Sequence, residues 1–375
     1  MQMKLIDICD FQGGSQPPKE EWSFDKQDGY VRMLQIRDFT KSERVTPEYI
    51  KISNSTKMCE ADDILIARYG ASIGKILTGL AGAYNVAIMR TIPDTSKIRK
   101  RYLYYYLRSS YFQNVIINVG SRAAQAGFNK EDLSKLDIEC PELTEQDGII
   151  NILEKVEAVT EKRKEELSFL DDLIKARFVE MFGEPIANPK GWPAKTLKEL
   201  STLITNGNTP KGGSENYVDS GIIFLRSQNV WRNRIELDDV AYIDEDTHAS
   251  MKKSSLHHQD ILITKTGRIN TENSSLGRAA LFLGEDDSAN INGHVYLVRL
   301  TDEVVPEYVV TILTGEAYRK YIRKVCVGGI DKRQINVDQV EDFPIIMPPI
   351  EQQREFAEFR TQVDKSKFVE ITALP

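Results

Sequence analysis

The sequence is poor in the residues that build metal sites and disulfide frameworks. It has only four histidines, two of them adjacent, and four cysteines with no CxxC pair, at Cys9, Cys59, Cys140 and Cys326. Scattered cysteines argue against structural zinc and against a disulfide scaffold, and they are typical of the cytoplasm. Adjacent histidines in a strand face opposite sides of the sheet and could not share a metal ion.

Long apolar runs are also missing. No stretch of about 18 apolar residues occurs, so we predict no transmembrane helix and no membrane partner. The first residues, MQMK, lead directly into an alternating segment, which is not typical of a signal peptide. We therefore expect a cytoplasmic protein.

Catalytic and nucleotide-binding signatures are absent from the sequence. The segment Gly70–Ile76, GASIGKI, is one residue short of a P-loop and has no Ser or Thr after Lys75. No GxGxxG, no GxSxG and no Asn/Asp-Pro-Pro-aromatic signature of an amino-methyltransferase occurs. The sequence thus gives little sign of catalysis. A stand-alone DNA-modifying enzyme is one alternative, and it would need a carboxylate cluster or a cofactor loop.

The charge balance gives no global sign of nucleic-acid binding. The 375 residues carry a formal net charge of −7, with a pI of about 5.4. Phosphate contacts need only a local basic face, and partner subunits can supply others. The acidic balance therefore leaves DNA binding open.

What the sequence does contain is an internal repeat. Five blocks recur in the same order: Leu5–Pro17 with Leu197–Pro210, Val31–Phe39 with Ile222–Val230, Asp62–Gly70 with His258–Gly267, Tyr102–Ser109 with Tyr308–Gly315, and Phe128–Pro141 with Ile335–Pro348. A solenoid would repeat every 20–50 residues, so the blocks predict two copies of one domain. Short Ile-, Val- and Tyr-rich runs predict strands, and apolar residues at helical spacing predict helices. The main insertion in the second copy is RINTENSS, after Gly267.

Each copy ends in the start of a helix, PELTEQDGIINIL at Pro141 and PPIEQQREFAEF at Pro348. The first apolar stripe predicts one helix of about 38 residues, or about 57 Å, ending before Gly183. The second helix is about half as long. Such a stripe needs a partner, so we expect antiparallel packing of the two helices. The predicted packing residues are Ile149, Ile152, Val156, Leu167, Leu170, Ile174, Phe356, Phe359 and Val363.

Polar, planar and basic side chains accompany the glycine-bounded turns of both copies. Arg and Lys suit phosphates and guanine edges, while Asn and Gln suit adenine edges. For any one of them a solvated loop is the competing interpretation, but as a recurring set they favour a base-reading surface. The candidates are Gln16, Lys19, Gln35, Arg37, Arg68, Tyr69, Ser72, Lys75, Arg122 and Gln125 in the first copy, and Thr209, Lys211, Arg226, Gln228, Asn229, Arg232, Lys265, Arg268, Asn270, Asn292, Lys332 and Arg333 in the second.

Over its whole length the chain resembles the specificity (S) subunits of type I restriction–modification systems. The resemblance rests on the glycine-to-proline loops at Gly14 and Gly207, DILI at Asp63 and Asp260, GK and GR at Gly74 and Gly277, NPKGWP at Asn188, and the two EQ helix starts. Each motif is short, and the doubled order makes the likeness specific. It implies an α+β fold, in which two similar mixed α/β target-recognition domains are separated by long coiled-coil helices with a pseudo-twofold arrangement. We place the first domain at 1–142, the central conserved helix at 143–183, the second domain at 184–347 and a short second helix at 348–375.

The resemblance also implies a function. Such a subunit is non-catalytic and reads a bipartite asymmetric target in double-stranded DNA, with the helix pair as the ruler that fixes the unread spacer. It docks two modification subunits and the restriction (translocase–nuclease) subunits. S-adenosylmethionine, ATP and Mg would belong to those partners, with no cofactor in this chain. The second helix is short for the family, so either the chain is truncated or a partner covers the exposed stripe. We expect this stripe to drive self-association or to weaken the binding of one modification subunit. A coiled-coil adaptor with two modules that do not bind DNA is the other alternative.

Overall fold

The computed structural model describes residues 1–40, 45–122, 127–271 and 273–372. The chain divides into two units, Met1–Glu161 and Lys162–Pro375, and the boundary falls inside one long helix. Within the described ranges, no helix is long and apolar enough to cross a membrane. Each unit has its own hydrophobic core and mixes helices with short strands.

Among the described residues, the first unit holds eleven strands and four helices, followed by the start of a long fifth helix. The strands are β1 (Gln2–Lys4), β2 (Cys9–Gly13), β3 (Trp22–Ser23), β4 (Tyr30–Leu34), β5 (Tyr49–Lys51), β6 (Met58–Cys59), β7 (Leu65–Ala67), β8 (Ile76–Leu77), β9 (Gly82–Tyr84), β10 (Ile88–Pro93) and β11 (Asp137–Glu139). The helices are α1 (Ile36–Thr40), α2 (Lys100–Arg108), α3 (Ser110–Arg122) and α4 (Lys130–Ser134), followed by the start of α5 (Leu143–Phe182).

The second unit begins within α5, and its described residues form fourteen strands and five further helices. The strands are β12 (Ala194–Thr196), β13 (Ser201–Asn206), β14 (Ile222–Leu225), β15 (Val230–Trp231), β16 (Arg234–Ile235), β17 (Ala241–Ile243), β18 (Ile261–Thr264), β19 (Thr266–Arg268), β20 (Ala279–Leu281), β21 (Ala289–Ile291), β22 (Val295–Leu300), β23 (Val327–Gly328), β24 (Lys332–Gln334) and β25 (Pro344–Ile346). The helices are α6 (Glu245–Ser250), α7 (Pro306–Thr314), α8 (Glu316–Val325), α9 (Val337–Glu341) and α10 (Ile350–Thr372).

The two units share a central topology. A four-stranded antiparallel sheet has the order β2-β10-β7-β8 in the first and β13-β22-β18-β20 in the second. Beside it lies a parallel pair, β4 with β9 and β14 with β21. In both units the first strand pairs with the strand just before the long helix, β1 with β11 and β12 with β25. The predicted pair of similar mixed α/β domains is thus confirmed.

Each unit contains one helical stretch that is broken once. Tyr102 onwards forms α2 and α3, interrupted at Ser109, and the matching stretch forms α7 and α8, interrupted at Gly315. At both breaks the backbone is extended, with ψ of 151° and 159°. The repeated break turns the second helix of each pair away from the first.

The predicted long central helix is confirmed, since α5 has 40 residues, a length of about 60 Å. Within the second unit, α10 packs antiparallel on the later part of α5. Arg177 contacts Glu355 at 2.9 Å, and Asp171 contacts Lys367 at 2.7 Å, so the residue order reverses along the pair. Aromatic rings also pack between the two helices, since the centre of the Phe178 ring in α5 lies 5.4 Å from that of Phe356 in α10.

The predicted helix-packing residues lie in two environments. Those of the second unit belong to its core or pack against it: Leu170, Ile174, Phe356, Phe359 and Val363. Leu167 and Ile149 are half-buried. By contrast, Ile152 and Val156 are 63% and 43% exposed, and Val159 on the same stripe is 47% exposed. The early part of α5 therefore presents an apolar stripe, defined here as Ile152, Val156 and Val159, to solvent.

Candidate nucleic-acid interface

The first predicted loop of each domain starts at a glycine that a larger residue could not replace. A Cβ on Gly14 would lie 2.1 Å from the Asn85 carbonyl oxygen, and one on Gly207 would lie 1.9 Å from that of Ile291. The loop therefore crosses tightly over the end of β9 in one domain and β21 in the other. This crossing places Gln16 and Lys19, both exposed, at the domain surface.

In the second domain the corresponding loop lines a polar cavity of about 410 Å³. Its predicted contributors are Thr209 and Lys211, and both are exposed. Asn208, Asn216 and two residues of α6, Thr247 and Ser250, complete the polar part of the lining. Hydroxyl and amide groups of this kind bind phosphate oxygens and base edges alike.

Arg68 and Tyr69, which directly follow β7, contact each other. The Arg68 guanidinium lies 5.0 Å from the centre of the Tyr69 ring, and its Nε donates to the Phe128 carbonyl at 3.2 Å. A Cβ on Gly13 would be 3.3 Å from Arg68, so the first loop runs beside this side chain. Arg68 is thus partly structural, while Tyr69 is 38% exposed.

The other predicted residues of the first domain are more scattered. Gln35 and Arg37 share one acceptor, the Glu48 carboxylate, with the Gln35 amide at 2.6 Å. Ser72 is half-buried, and Lys75 is exposed. Gln125 lies outside the described residues. For Arg122, only the backbone, at the end of α3, is described.

In the second domain, two predicted residues meet in a cavity of about 330 Å³. Gln228 and Arg268 both line it, together with Trp231 and Arg278. Most of the remaining lining comes from the insertion noted in the sequence, namely Thr271, Asn273, Ser274 and Ser275. The structure therefore assembles a cavity, called here the insertion cavity, in part from the segment that the first copy lacks.

A tryptophan between arginines forms one wall of the insertion cavity. The Arg278 guanidinium carbon lies 3.8 Å from the Trp231 ring centre, and that of Arg234 lies 5.3 Å away. Arg278 also donates to the Ser274 carbonyl at 3.1 Å, which holds the inserted loop. Among the described residues, the buried indole N–H of Trp231 has no hydrogen-bond partner.

Like charges are crowded around this wall. Burial lowers the pKa of Arg278, and the neighbouring positive charge of Arg232 lowers it further. The pKa of Arg232 is lowered by burial and then by the charge of Arg319. Such crowding disfavours the charged forms unless an anion is nearby. The region is therefore a local basic face on a chain of net negative charge.

Two further predicted residues, Arg226 and Asn229, build a turn together with Gln228. The Asp239 carboxylate accepts from Gln228 at 2.6 Å and pairs with Arg226 at 3.2 Å. Asn229 is 2% exposed, and its amide donates to the carbonyls of Glu236 and Asp239 at 3.0 and 2.9 Å. A direct base contact by Asn229 would break these bonds, whereas Gln228 is exposed.

A small sheet brings two more cationic residues, Lys332 and Arg333, beside Arg268. Arg268 in β19 is directly opposite Lys332 in β24, and Gly267 is directly opposite Arg333. Arg268 also faces Asp331 at 3.3 Å. Elsewhere, Lys265 lies 5.6 Å from the Tyr296 ring centre, Asn270 is exposed, and Asn292 accepts from the His294 N–H at 3.1 Å.

Sequence reasoning missed Trp231 and gave Arg278 no contact role. The available signal was VWRNR, an aromatic residue among basic ones, which is typical of nucleic-acid surfaces. No group of three or more His, Cys, Asp or Glu placed to hold a metal ion occurs within residues 1–40, 45–122, 127–271 and 273–372.

Two copies of one mixed α/β domain, each leading into a long helix and each carrying cationic turns, define a protein with two recognition modules. The chain belongs to the family of type I restriction modification DNA specificity domains, whose model matches residues 1–168 and 189–373.

Similar proteins carry the same description. The chain is 23% identical to a putative type I restriction enzyme MjaX specificity subunit of Methanocaldococcus jannaschii, over 47% of this chain and 40% of that protein. It thus aligns with less than half of the length of that relative. It is 20% identical to the type I restriction enzyme MjaVIII specificity subunit of the same organism, over 85% of this chain and 76% of the relative. The fold is similar to the crystal structure of a type I restriction–modification S subunit from M. genitalium, with a TM-score of 0.53, 15% identity, and 100% and 91% of the two chains covered.

Proposed function

We propose that this chain is the DNA specificity subunit of a type I restriction–modification complex and reads a bipartite, asymmetric target, one half with each domain. The observation that carries the proposal is the insertion cavity with its crowded arginines. The corresponding turn of the first domain instead carries the Arg68–Tyr69 pair. Since the two domains share one frame and differ at these turns, they should read different half-sites.

The insertion cavity suits a base edge next to a phosphate. Arg268 and Gln228 are exposed, so Arg268 can approach guanine and Gln228 can approach adenine. The arginine wall supplies positive charge that a phosphate would neutralise.

Specificity subunits are generally non-catalytic, and this role fits the chain. In the proposal, two modification subunits and the restriction subunits dock on it, and S-adenosylmethionine, ATP and Mg are bound by those partners. The exposed stripe of α5 is an apolar surface for such assembly or for self-association. Sedimentation that shows a clean monomer still able to bind two modification subunits would argue against self-association.

The test is selection of duplexes from a randomised library by the chain in complex with its modification subunits and S-adenosylmethionine. Recovery of a two-part motif with an unread spacer supports the proposal. Arg268→Ala should weaken binding to the selected duplex about 10- to 100-fold, the range of one bidentate base contact. Lys198→Ala is the control, because it also removes one exposed, ion-paired positive charge, bound to Glu341 at 2.7 Å, but lies outside the insertion cavity. Equal binding by the native complex to all duplexes would favour an adaptor without DNA specificity.

A further inference from the structure

Each long helix starts with a fully buried glutamine. Gln146 in α5 and Gln353 in α10 stand at the same place in the two repeats, and they are 0% and 1% exposed. Glutamine is seldom buried completely, and a buried amide without partners is costly. The repeated burial therefore requires a specific set of hydrogen bonds.

In the first domain, Gln146 joins three pieces of backbone. Its Nε2 donates to the carbonyls of Pro141 and Lys97, both at 2.8 Å. Its Oε1 accepts from the Arg99 N–H at 2.8 Å. Arg99 is the residue immediately before α2. A single side chain thus ties the start of α5 to the start of α2.

The second domain repeats the arrangement. Gln353 donates from Nε2 to the Pro348 carbonyl at 2.9 Å and accepts at Oε1 from the Val305 N–H at 3.1 Å. Val305 is the residue immediately before α7, the counterpart of α2. We call these two arrangements the glutamine joints.

Beyond each joint the two helices stay in contact. In the first domain, Arg99 forms two 2.8 Å bonds to the Asp147 carboxylate. Further along, Arg101 and Arg108 both pair with Glu157, at 2.8 and 2.6 Å. Helix α2 therefore directs α5 over several turns.

In the second domain the helix contact is buried. Arg360, 8% exposed, donates to the Glu307 carbonyl and the Thr311 hydroxyl of α7, both at 2.8 Å. The Tyr308 ring of α7 also stacks on Phe178 at 5.6 Å. In each domain, the joint and these contacts set the direction in which the long helix leaves.

We infer that Gln146 and Gln353 are positioning residues for spacer selectivity. By fixing the direction of each helix, they limit the number of unread base pairs tolerated between the two half-sites. This inference rests on the proposed function, since it requires a bipartite target. Neither glutamine needs to touch DNA.

The experiment uses the complex with modification subunits and duplexes that carry the selected half-sites at the selected spacing or at one base pair more or less. The native complex should prefer the selected spacing by about tenfold or more, as for a mismatched site. Gln146→Leu and Gln353→Leu, which keep the side-chain size and lose the bonds, should reduce this preference to less than about threefold. Discrimination between correct and altered half-sites should be retained.

Gln339→Leu is the matched control. Gln339 is a half-buried glutamine that caps α9 through a 2.9 Å bond from the Asn336 N–H and also bonds to the Val325 carbonyl. Its loss should lower stability without changing the spacer preference. If Gln146→Leu fails to fold, Gln146→Glu takes its place, because it keeps the acceptor for the Arg99 N–H.

Two results would overturn the inference. One is an unchanged spacer preference in both joint variants, and the other is a uniform loss of binding at every spacing, as expected for a purely structural role. Absence of any two-part selectivity in the native complex would instead refute the proposed function.

Discussion

Arg299 holds the buried Asp260 carboxylate with two hydrogen bonds, Nε to Oδ1 at 2.9 Å and Nη2 to Oδ2 at 2.7 Å. Asp260 is 1% exposed and stands just before β18, while Arg299 belongs to the neighbouring β22. The first domain repeats the pair, with Asp63 before β7 and Arg90 in β10 at 2.7 Å. The DILI motif is therefore a structural signature, because its aspartate fastens two central strands.

Asp260→Ala should destabilise the second domain by about 2 kcal/mol. Breaking a fully buried pair costs about 3–5 kcal/mol. The expected loss is smaller here, because the Arg299 side chain is 26% exposed and water can solvate the guanidinium that is left unpaired. Urea unfolding of the full chain measures the change. Glu303→Ala, which breaks the exposed pair with Lys195, should change stability by less than about 0.5 kcal/mol.

Asp63 should make the first domain sensitive to acid. Burial raises its pKa, but the Glu60 N–H, the Lys100 ammonium and the Arg90 charge together hold the pKa below its ordinary value of 3.8. A carboxyl whose pKa is lowered by folding stabilises the fold above the unfolded pKa, and this stability is lost as the pH falls through the folded pKa. Asp63→Asn should therefore flatten the fall in melting temperature below about pH 4. A slope identical to that of the native chain would contradict this.

Tyr318→Phe should stabilise the second domain by about 1 kcal/mol. The Tyr318 hydroxyl is buried without a partner among the described residues, and removing an unsatisfied group recovers its desolvation cost. Tyr308→Phe should have the opposite effect by a similar amount, because that hydroxyl donates to the Ile346 carbonyl at 2.9 Å. Thermal unfolding of the two variants side by side tests the sign of each change.

Gly207→Ala should destabilise the second domain by about 1–3 kcal/mol, the usual cost of overpacking, and weaken DNA binding. The added methyl would meet the Ile291 carbonyl at 1.9 Å and push the first loop away from β21. Gly148→Ala is the contrasting case. No atom lies within 4 Å of a Cβ added at that position in α5. The higher helix propensity of alanine alone should therefore stabilise the fold by about 1 kcal/mol. Equal effects of the two substitutions would contradict the tight crossing.

Sequence reasoning could predict the features that depend on repetition and periodicity. The five ordered blocks correspond to the topology that the two units share, and the apolar residues at helical spacing after Pro141 correspond to α5. The order of the strands was not predictable, because the pairing of β4 with β9 joins residues far apart in the chain. Gln146 and Asp260 are polar, so a local pattern assigns them to the surface, and only their distant partners explain their burial.

The candidate interface was harder to predict than the fold. Arg268 and Gln228 are about forty residues apart in sequence, yet they line one cavity, because the inserted loop folds back over β15. Single basic residues on loops look alike in sequence. The fold decides which of these residues form ion pairs with a neighbouring carboxylate, as Arg37 does with Glu48.

The pairing of β1 with β11, and of β12 with β25, has a consequence for how such proteins diversify. The chain enters and leaves each domain on adjacent strands, so the two ends of each domain lie side by side. One domain can therefore be exchanged for another with the same strand order without changing the path of the chain into the helices. Under the proposed function, exchange at these ends would combine half-sites anew without a change in the other domain.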